Sequence, residues 1–154
     1  VWGARWSAGD FCELFQRLTP LQPIFQKVKG LLFFDADLGC GIFRIAASLF
    51  PNLVSLCHRT DEDAPSFYGD SYGLSEAISL LPNLQYMEAV CERPPRDTIR
   101  ALTKAKQGCV LKLVAANDEC HKRLEEIRMQ WGAVMLDRQQ DGAELEIEVL
   151  GGVE

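Results

Sequence analysis

Leu31-Leu32-Phe33-Phe34-Asp35-Ala36-Asp37-Leu38-Gly39-Cys40-Gly41 is the stretch on which the fold turns. Leu31 to Ala36 is a short apolar run behind Gly30, with the length and composition of a buried strand. Asp37 to Gly41 then reads as a turn, and Ile42 to Phe50 as a helix stopped by Pro51-Asn52. Glycines suit a strand-to-helix turn for two reasons. They let the backbone bend sharply, and they leave room for a ligand where a Cβ would stand. The free N–H groups at a helix start also favour a polar or anionic ligand edge.

Outward from this stretch the pattern repeats. Leu53 to Cys57 is a second strand, Ser66 to Asp70 a very short third, and Leu84 to Val90 a fourth. Leu74, Ala77, Ile78 and Leu81 mark the helix between the last two. Pro94 and Pro95 open another helix, with Asp97 in its first turn. Cys109 to Ala115 is a fifth strand. Asn117 or Asp118 caps a helix bearing Cys120, Leu124, Ile127 and Trp131, with Gly132 as its stop. Ala133 to Leu136 reads as a sixth strand and Glu144 to Leu150 as a seventh, joined by an Asp141-Gly142 hairpin signal. Leu145, Ile147 and Val149 face the core in this reading, and Glu144, Glu146 and Glu148 face water or a cleft.

The expectation is an α/β fold: a mostly parallel seven-stranded sheet, helices on both faces, and a C-terminal antiparallel β-hairpin. Residues 28–151 form the core of a single domain over 1–154, and 1–27 are an N-terminal helical extension built on Phe11, Leu14, Phe15 and Leu18. In open α/β sheets ligands bind at the carboxyl ends of the strands, which places the expected site at Asp37 to Gly41.

At 154 residues and 47% apolar composition, the chain can bury a substantial core. A formal charge of −6 argues against a protein covered by a nucleic-acid-binding field. A local basic patch remains open at Arg93, Arg96, Arg100, Lys104 and Lys106; the plainer reading is a solvated helix face. The six cysteines stand at least eleven residues apart, so no CxxC or zinc-knuckle spacing exists and no metal site is expected. Their apolar surroundings point to a reducing compartment without a disulfide framework. With no apolar run of membrane-spanning length and no signal peptide evident, an intracellular location, cytoplasmic or nuclear, is the expectation.

Asp37-Leu-Gly-Cys-Gly41 after a hydrophobic strand resembles motif I of the class I S-adenosylmethionine-dependent methyltransferases. The resemblance covers roughly residues 28 to 151 and implies a Rossmann-like methyltransferase fold. It implies that Asp37, Gly39 and Gly41 line the amino-acid end of the cofactor, S-adenosylmethionine. Asp70 is similar to the acid that holds the adenine amino group. The ribose-binding acid of the family falls near His58, where Asp61 is among the nearest carboxylates. Phe43 stands where many members carry a third glycine.

The last third resembles the FtsJ-type ribose 2′-O-methyltransferases of RNA. Lys112 sits where their second catalytic lysine sits, and Glu144 at a matching distance before Gly151. Glu88 is among the closest substitutes for their middle aspartate. A desolvated lysine with a lowered pKa can take a hydroxyl proton while a carboxylate orients it. The plain alternative makes Lys112 a strand residue that snorkels to the sheet edge and Glu144 a solvent-facing position.

Two functions therefore stand side by side. One is a methyltransferase dependent on S-adenosylmethionine, with RNA ribose 2′-OH as acceptor. The other is a catalytically inactive methyltransferase-like domain serving as a scaffold or interaction module for other protein domains. A nucleotide-binding oxidoreductase is the weaker third, since Arg44 occupies the last glycine position of a G-x-G-x-x-G counted from Gly39.

Overall fold

The computed structural model describes residues 5–6, 13, 16–17, 20, 22–34, 37–38, 42–59, 73–138 and 142–150. In chain order the elements are β1 (Arg5–Trp6), α1 (Gln22–Phe25), β2 (Gly30–Phe34), β3 (Asp37–Leu38), α2 (Ile42–Leu49) and β4 (Ser55–Arg59). There follow α3 (Leu74–Leu80), β5 (Tyr86–Cys91), α4 (Thr98–Lys104), β6 (Val110–Ala115), α5 (Asp118–Arg138) and β7 (Glu144–Val149). Strand and helix alternate as the periodicity predicts. The expected third strand, at 66–70, lies outside the described residues.

Five strands make one sheet in the order β2-β4-β5-β6-β7, and every neighbouring pair is parallel. The chain thus builds repeated β-α-β units of the Rossmann-like kind, but each strand is laid beside its predecessor. Strand order does not reverse among the described residues. β1 and β3 form a separate two-residue parallel pair, Arg5 with Asp37 and Trp6 with Leu38. Asp37 is therefore extended backbone, where the sequence suggests the start of a turn.

Sequential order sets the layers. The main core takes Ile42, Phe43, Ala46 and Ala47 from α2, Leu74, Ala77 and Ile78 from α3, Ala101 and Leu102 from α4, and Cys120, Leu124 and Trp131 from α5. It takes alternate strand residues: Phe33, Leu56, Met87, Leu111 and Leu145 among them. The four helices α2 to α5 hence pack on one face of the sheet, not on both. The opposite face has a small cluster of Val90 and Val114 with Leu150 against it, to which no described helix contributes. Several of its other positions are polar or charged (Ser55, Arg59, Tyr86, Glu88, Lys112), alongside Leu32, Cys57 and Val110, and those charges disfavour a covering helix. Burying unpaired charge under a helix would cost several kcal/mol, on the order of a broken buried ion pair.

Among the described residues the C-terminal hairpin and the sixth strand are not present. Ala133 to Leu136 belongs to α5, which runs unbroken through Gly132 to Arg138. A helical glycine costs about 1 kcal/mol, and tertiary packing outweighs it. Val134 and Met135 continue the stripe of Leu124, Ile127 and Trp131 against the core, and the Trp131 indole N–H donates to the Ala143 carbonyl at 2.8 Å. With 21 residues in the helix, the chain is carried back across the sheet, so β7 enters parallel to β6.

Local chemistry fixes the helix ends. Asn117 caps α5: its Oδ1 accepts the Cys120 N–H at 2.8 Å. The sequence assigns Asp97 to the first turn of its own helix, yet its carboxylate accepts the N–H of Ser75 at 2.9 Å and so serves the start of α3. Gly108 (φ 85°) turns the chain from α4 into β6 with open space around it, so its conformation, not crowding, calls for glycine.

Candidate functional site

Three places bear on function. The first is the junction after β2. Gly39, Gly41, Asp61 and Asp70 lie outside the described residues, and Asp37 is described only as strand backbone. Two described neighbours bear on a cofactor there. α2 begins at Ile42, one residue past Gly41. Phe43, which stands where many members of the resembled family have glycine, is fully buried in the helix-side core. Its ring is committed to packing in that core.

The second place is a polar row on the opposite sheet face. Register aligns Cys57, Glu88, Lys112 and Glu146 across four adjacent strands. Side-chain bonds follow a different path. Glu88, only 3% exposed, accepts Arg59 Nε at 2.8 Å and Arg59 Nη2 at 3.3 Å. Its Oε1, which accepts Arg59 Nη2, also accepts the Tyr86 hydroxyl. Lys112 gives its ammonium to Glu148, diagonal to it on β7, at 2.7 Å. Glu144 is opposite Val110 at the start of β7, away from this ion pair.

The electrostatics of this row run against the expected lysine base. The hydrogen bond that Lys112 donates to Glu148 raises the Lys112 pKa above its ordinary value; partial burial opposes this, and Glu88 and Glu146 add to it. Lys112 keeps its proton at neutral pH. Burial pushes the Tyr86 phenol up, and its bond to Glu88 adds to the rise. Cys57, buried beside Glu88, is pushed up to about 11, mainly by burial. Glu148 and Arg59 are the two partners that sequence reasoning missed. Glu148 was legible only as one of three alternating carboxylates, and Arg59 carried no signal.

The third place is a cleft of about 400 Å³ at the carboxyl ends of β5 and β6. Glu92, Arg93 and Pro94 form one wall; Asn117, Glu119, Cys120 and Arg123 form the other. Parallel sheets present their ligand sites at this end because strand-to-helix loops and helix N-termini gather there. Beneath the cleft, Cys120 Sγ lies 3.7 Å from Cys91 Sγ, both fully buried.

Among the described residues no group of His, Cys, Asp and Glu side chains is placed to hold a metal ion, and no helix is long and apolar enough to cross a membrane. Fold and site define a parallel α/β domain with a charged sheet face and a polar cleft at the strand ends. Compared with protein-family models, curated proteins and solved structures, this chain matches none.

Proposed function

We propose that this domain transfers a methyl group from S-adenosylmethionine to a hydroxyl, with the ribose 2′-OH of RNA as the acceptor class. One observation carries the reading: a lysine in a central strand, Lys112, stands in register with the buried carboxylate Glu88 and is bonded to a second carboxylate, Glu148. This resembles the lysine–carboxylate sets of the FtsJ-type enzymes, with Glu148 in the bond expected of Glu144.

In this reading Asp37, Gly39 and Gly41 hold the amino-acid end of the cofactor, and Asp61 and Asp70 its ribose and adenine. The bound cofactor supplies an electrophilic methyl group. Lys112 stays protonated, so its part is to donate a hydrogen bond to the acceptor oxygen and stabilise negative charge there. In this reading Glu88, on the adjacent strand, takes the hydroxyl proton. The net charge of −6 leaves RNA binding to local basic groups such as Arg93 and Arg96.

A second reading is favoured by a specific observation. Arg59, Glu88, Lys112 and Glu148 are already paired with one another within the protein. Strand order among the described residues also lacks the reversal that opens a crevice in doubly wound sheets. Both suit a methyltransferase-like domain without catalysis, acting as a scaffold for other protein domains.

Titration with S-adenosylmethionine and S-adenosylhomocysteine, followed by melting temperature, separates the two. Binding to the folded state raises the melting temperature by mass action; a flat response moves the assignment to the scaffold. Where binding occurs, Lys112→Ala should abolish methyl transfer to RNA and leave cofactor affinity nearly unchanged. An unchanged rate would remove Lys112 from the reaction.

A further inference from the structure

We propose that Cys91 and Cys120 form a reversible disulfide under the polar cleft, making this end of the sheet an oxidation-sensitive site. The inference is independent of the methyltransferase reading.

The geometry comes from the fold. Cys91 is the last residue of β5 and Cys120 lies in the first turn of α5, so the two are 29 residues apart and meet across the end of β6. Their sulfurs are 3.7 Å apart, and the pair needs only a modest approach to bond. Each thiol has a second contact that fixes its direction: Cys120 Sγ reaches the Cys91 carbonyl at 3.4 Å, and Cys91 Sγ the Val114 carbonyl at 3.8 Å. The other described cysteines, Cys57 in β4 and Cys109 just before β6, are buried, and among the described residues neither has a sulfur partner in this way.

The two thiols are also unequal. The contact from Cys91 holds Cys120 below the usual thiol range; a backbone N–H at Ala116 and the Arg123 guanidinium assist, while burial opposes. Cys91 is pushed up, first by Cys120 and then by burial. Cys120 is thus the nucleophile and Cys91 the resolving thiol. Cys120 is also the one of the two residues that lines the cleft.

With a hydroperoxide as oxidant, the Cys120 thiolate attacks one peroxide oxygen. The O–O bond breaks, hydroxide leaves, and Cys120 becomes a sulfenic acid. The Cys91 sulfur then attacks the Cys120 sulfur, its proton goes to the departing hydroxyl, and water leaves. Two thiols and one hydrogen peroxide give one disulfide and two waters; each sulfur gives up one electron to the peroxide oxygens. A thiol reductant reverses the bond by exchange. Oxidation ties the Glu92–Arg93 wall of the cleft to the Asn117–Arg123 wall and fixes their separation.

The test uses the full chain under native conditions, with hydrogen peroxide, then alkylation of free thiols in denaturant, trypsin and mass spectrometry without reductant. Trypsin places each of the six cysteines on its own peptide: Cys91 falls between Arg59 and Arg96, and Cys120 between Lys112 and Lys122. The expected result is a cross-linked pair of those two peptides, lighter than their sum by two hydrogen atoms and abolished by reductant. Cys91→Ser should leave Cys120 to oxidise beyond the sulfenic acid. Should both peptides come back fully alkylated after peroxide treatment, or Cys120 cross-link to some other cysteine, the proposal is overturned. The wild-type peptide map decides the question, so a variant that fails to fold leaves the test intact.

Discussion

Lys112 stands directly opposite Glu88 in the β5–β6 register, yet its ammonium bonds Glu148 on β7 while Glu88 is taken by Arg59 on β4. Charge alternates across the sheet face as a result, and each of these groups has an opposite neighbour. The two carboxylates should differ in weight. Glu88→Ala removes the acceptor of both Arg59 and Tyr86 from a buried position, and is expected to cost about 2 kcal/mol. Glu148→Ala acts on a pair whose carboxylate is 56% exposed, and is expected to cost less than about 1 kcal/mol. Urea unfolding of the two variants checks the order; equal costs would mean that Glu88 is not bonded as described.

Alkaline pH should loosen the same face. Cys57 has its folded-state pKa raised from 9.0 to about 11 by burial and by Glu88, against the smaller pull of Arg59 and Lys112. The unfolded chain therefore loses this proton first. The stability tied to the neutral thiol is complete below about pH 9 and is lost as pH rises toward about 11. Tyr86 and Cys109 shift in the same direction. Unfolding midpoints measured across this window should fall, and Cys57→Ala should flatten the slope whatever it does to the starting stability. A slope unchanged by that substitution would acquit Cys57.

Asn117 is the cap on which α5 starts, and α5 carries one wall of the cleft. Asn117→Ala should destabilise the fold by about 1 kcal/mol, and Asn117→Asp should recover most of it. The side chain also donates to the Glu92 carbonyl at 3.3 Å, so the aspartate is expected to fall slightly short of asparagine. Thermal unfolding of the three proteins gives the ranking.

Trp131 joins the middle of α5 to the approach to β7 through its bond to Ala143. Trp131→Phe keeps most of the ring and loses one buried hydrogen bond, a cost of about 1 kcal/mol. Trp131→Ala opens a cavity and should cost about 3–5 kcal/mol. If α5 ended at Gly132 and a hairpin followed, as the sequence suggests, neither substitution would weaken the β6–β7 pairing. Amide exchange in Leu145 and Ile147 is the measurement that tells the two apart.

Much of the architecture was legible. The apolar runs at 31–36, 53–57, 84–90 and 109–115 each overlap an observed strand, and Leu145 and Ile147 face the core as alternation requires. The one-face arrangement of helices also had a signal, in single charges set within apolar strands. Glu88 in YMEAVC and Lys112 in VLKLVA mark strands with one wet face, whereas strands covered on both sides read as continuous apolar runs. Gly132 misleads because a glycine stop signal competes with a stripe that continues past it at helical spacing. The expected cofactor residues Gly39, Gly41, Asp61 and Asp70 fall outside the described part of the chain, and Lys112 and Glu88 are brought together by register alone.

What the sequence by itself determined is local: which segments are strands, which are helices, and which side of each is apolar. Those properties follow from periods of two and 3.6 residues, and a window of about ten residues holds them. Only the tertiary structure decided that β7 runs parallel beside β6, that the strands lie in sequential order, and that Lys112 bonds Glu148 instead of Glu144. Those outcomes depend on which surfaces meet across long stretches of chain. Connection length constrains them weakly, because the entropy of closing a loop grows only slowly with its size.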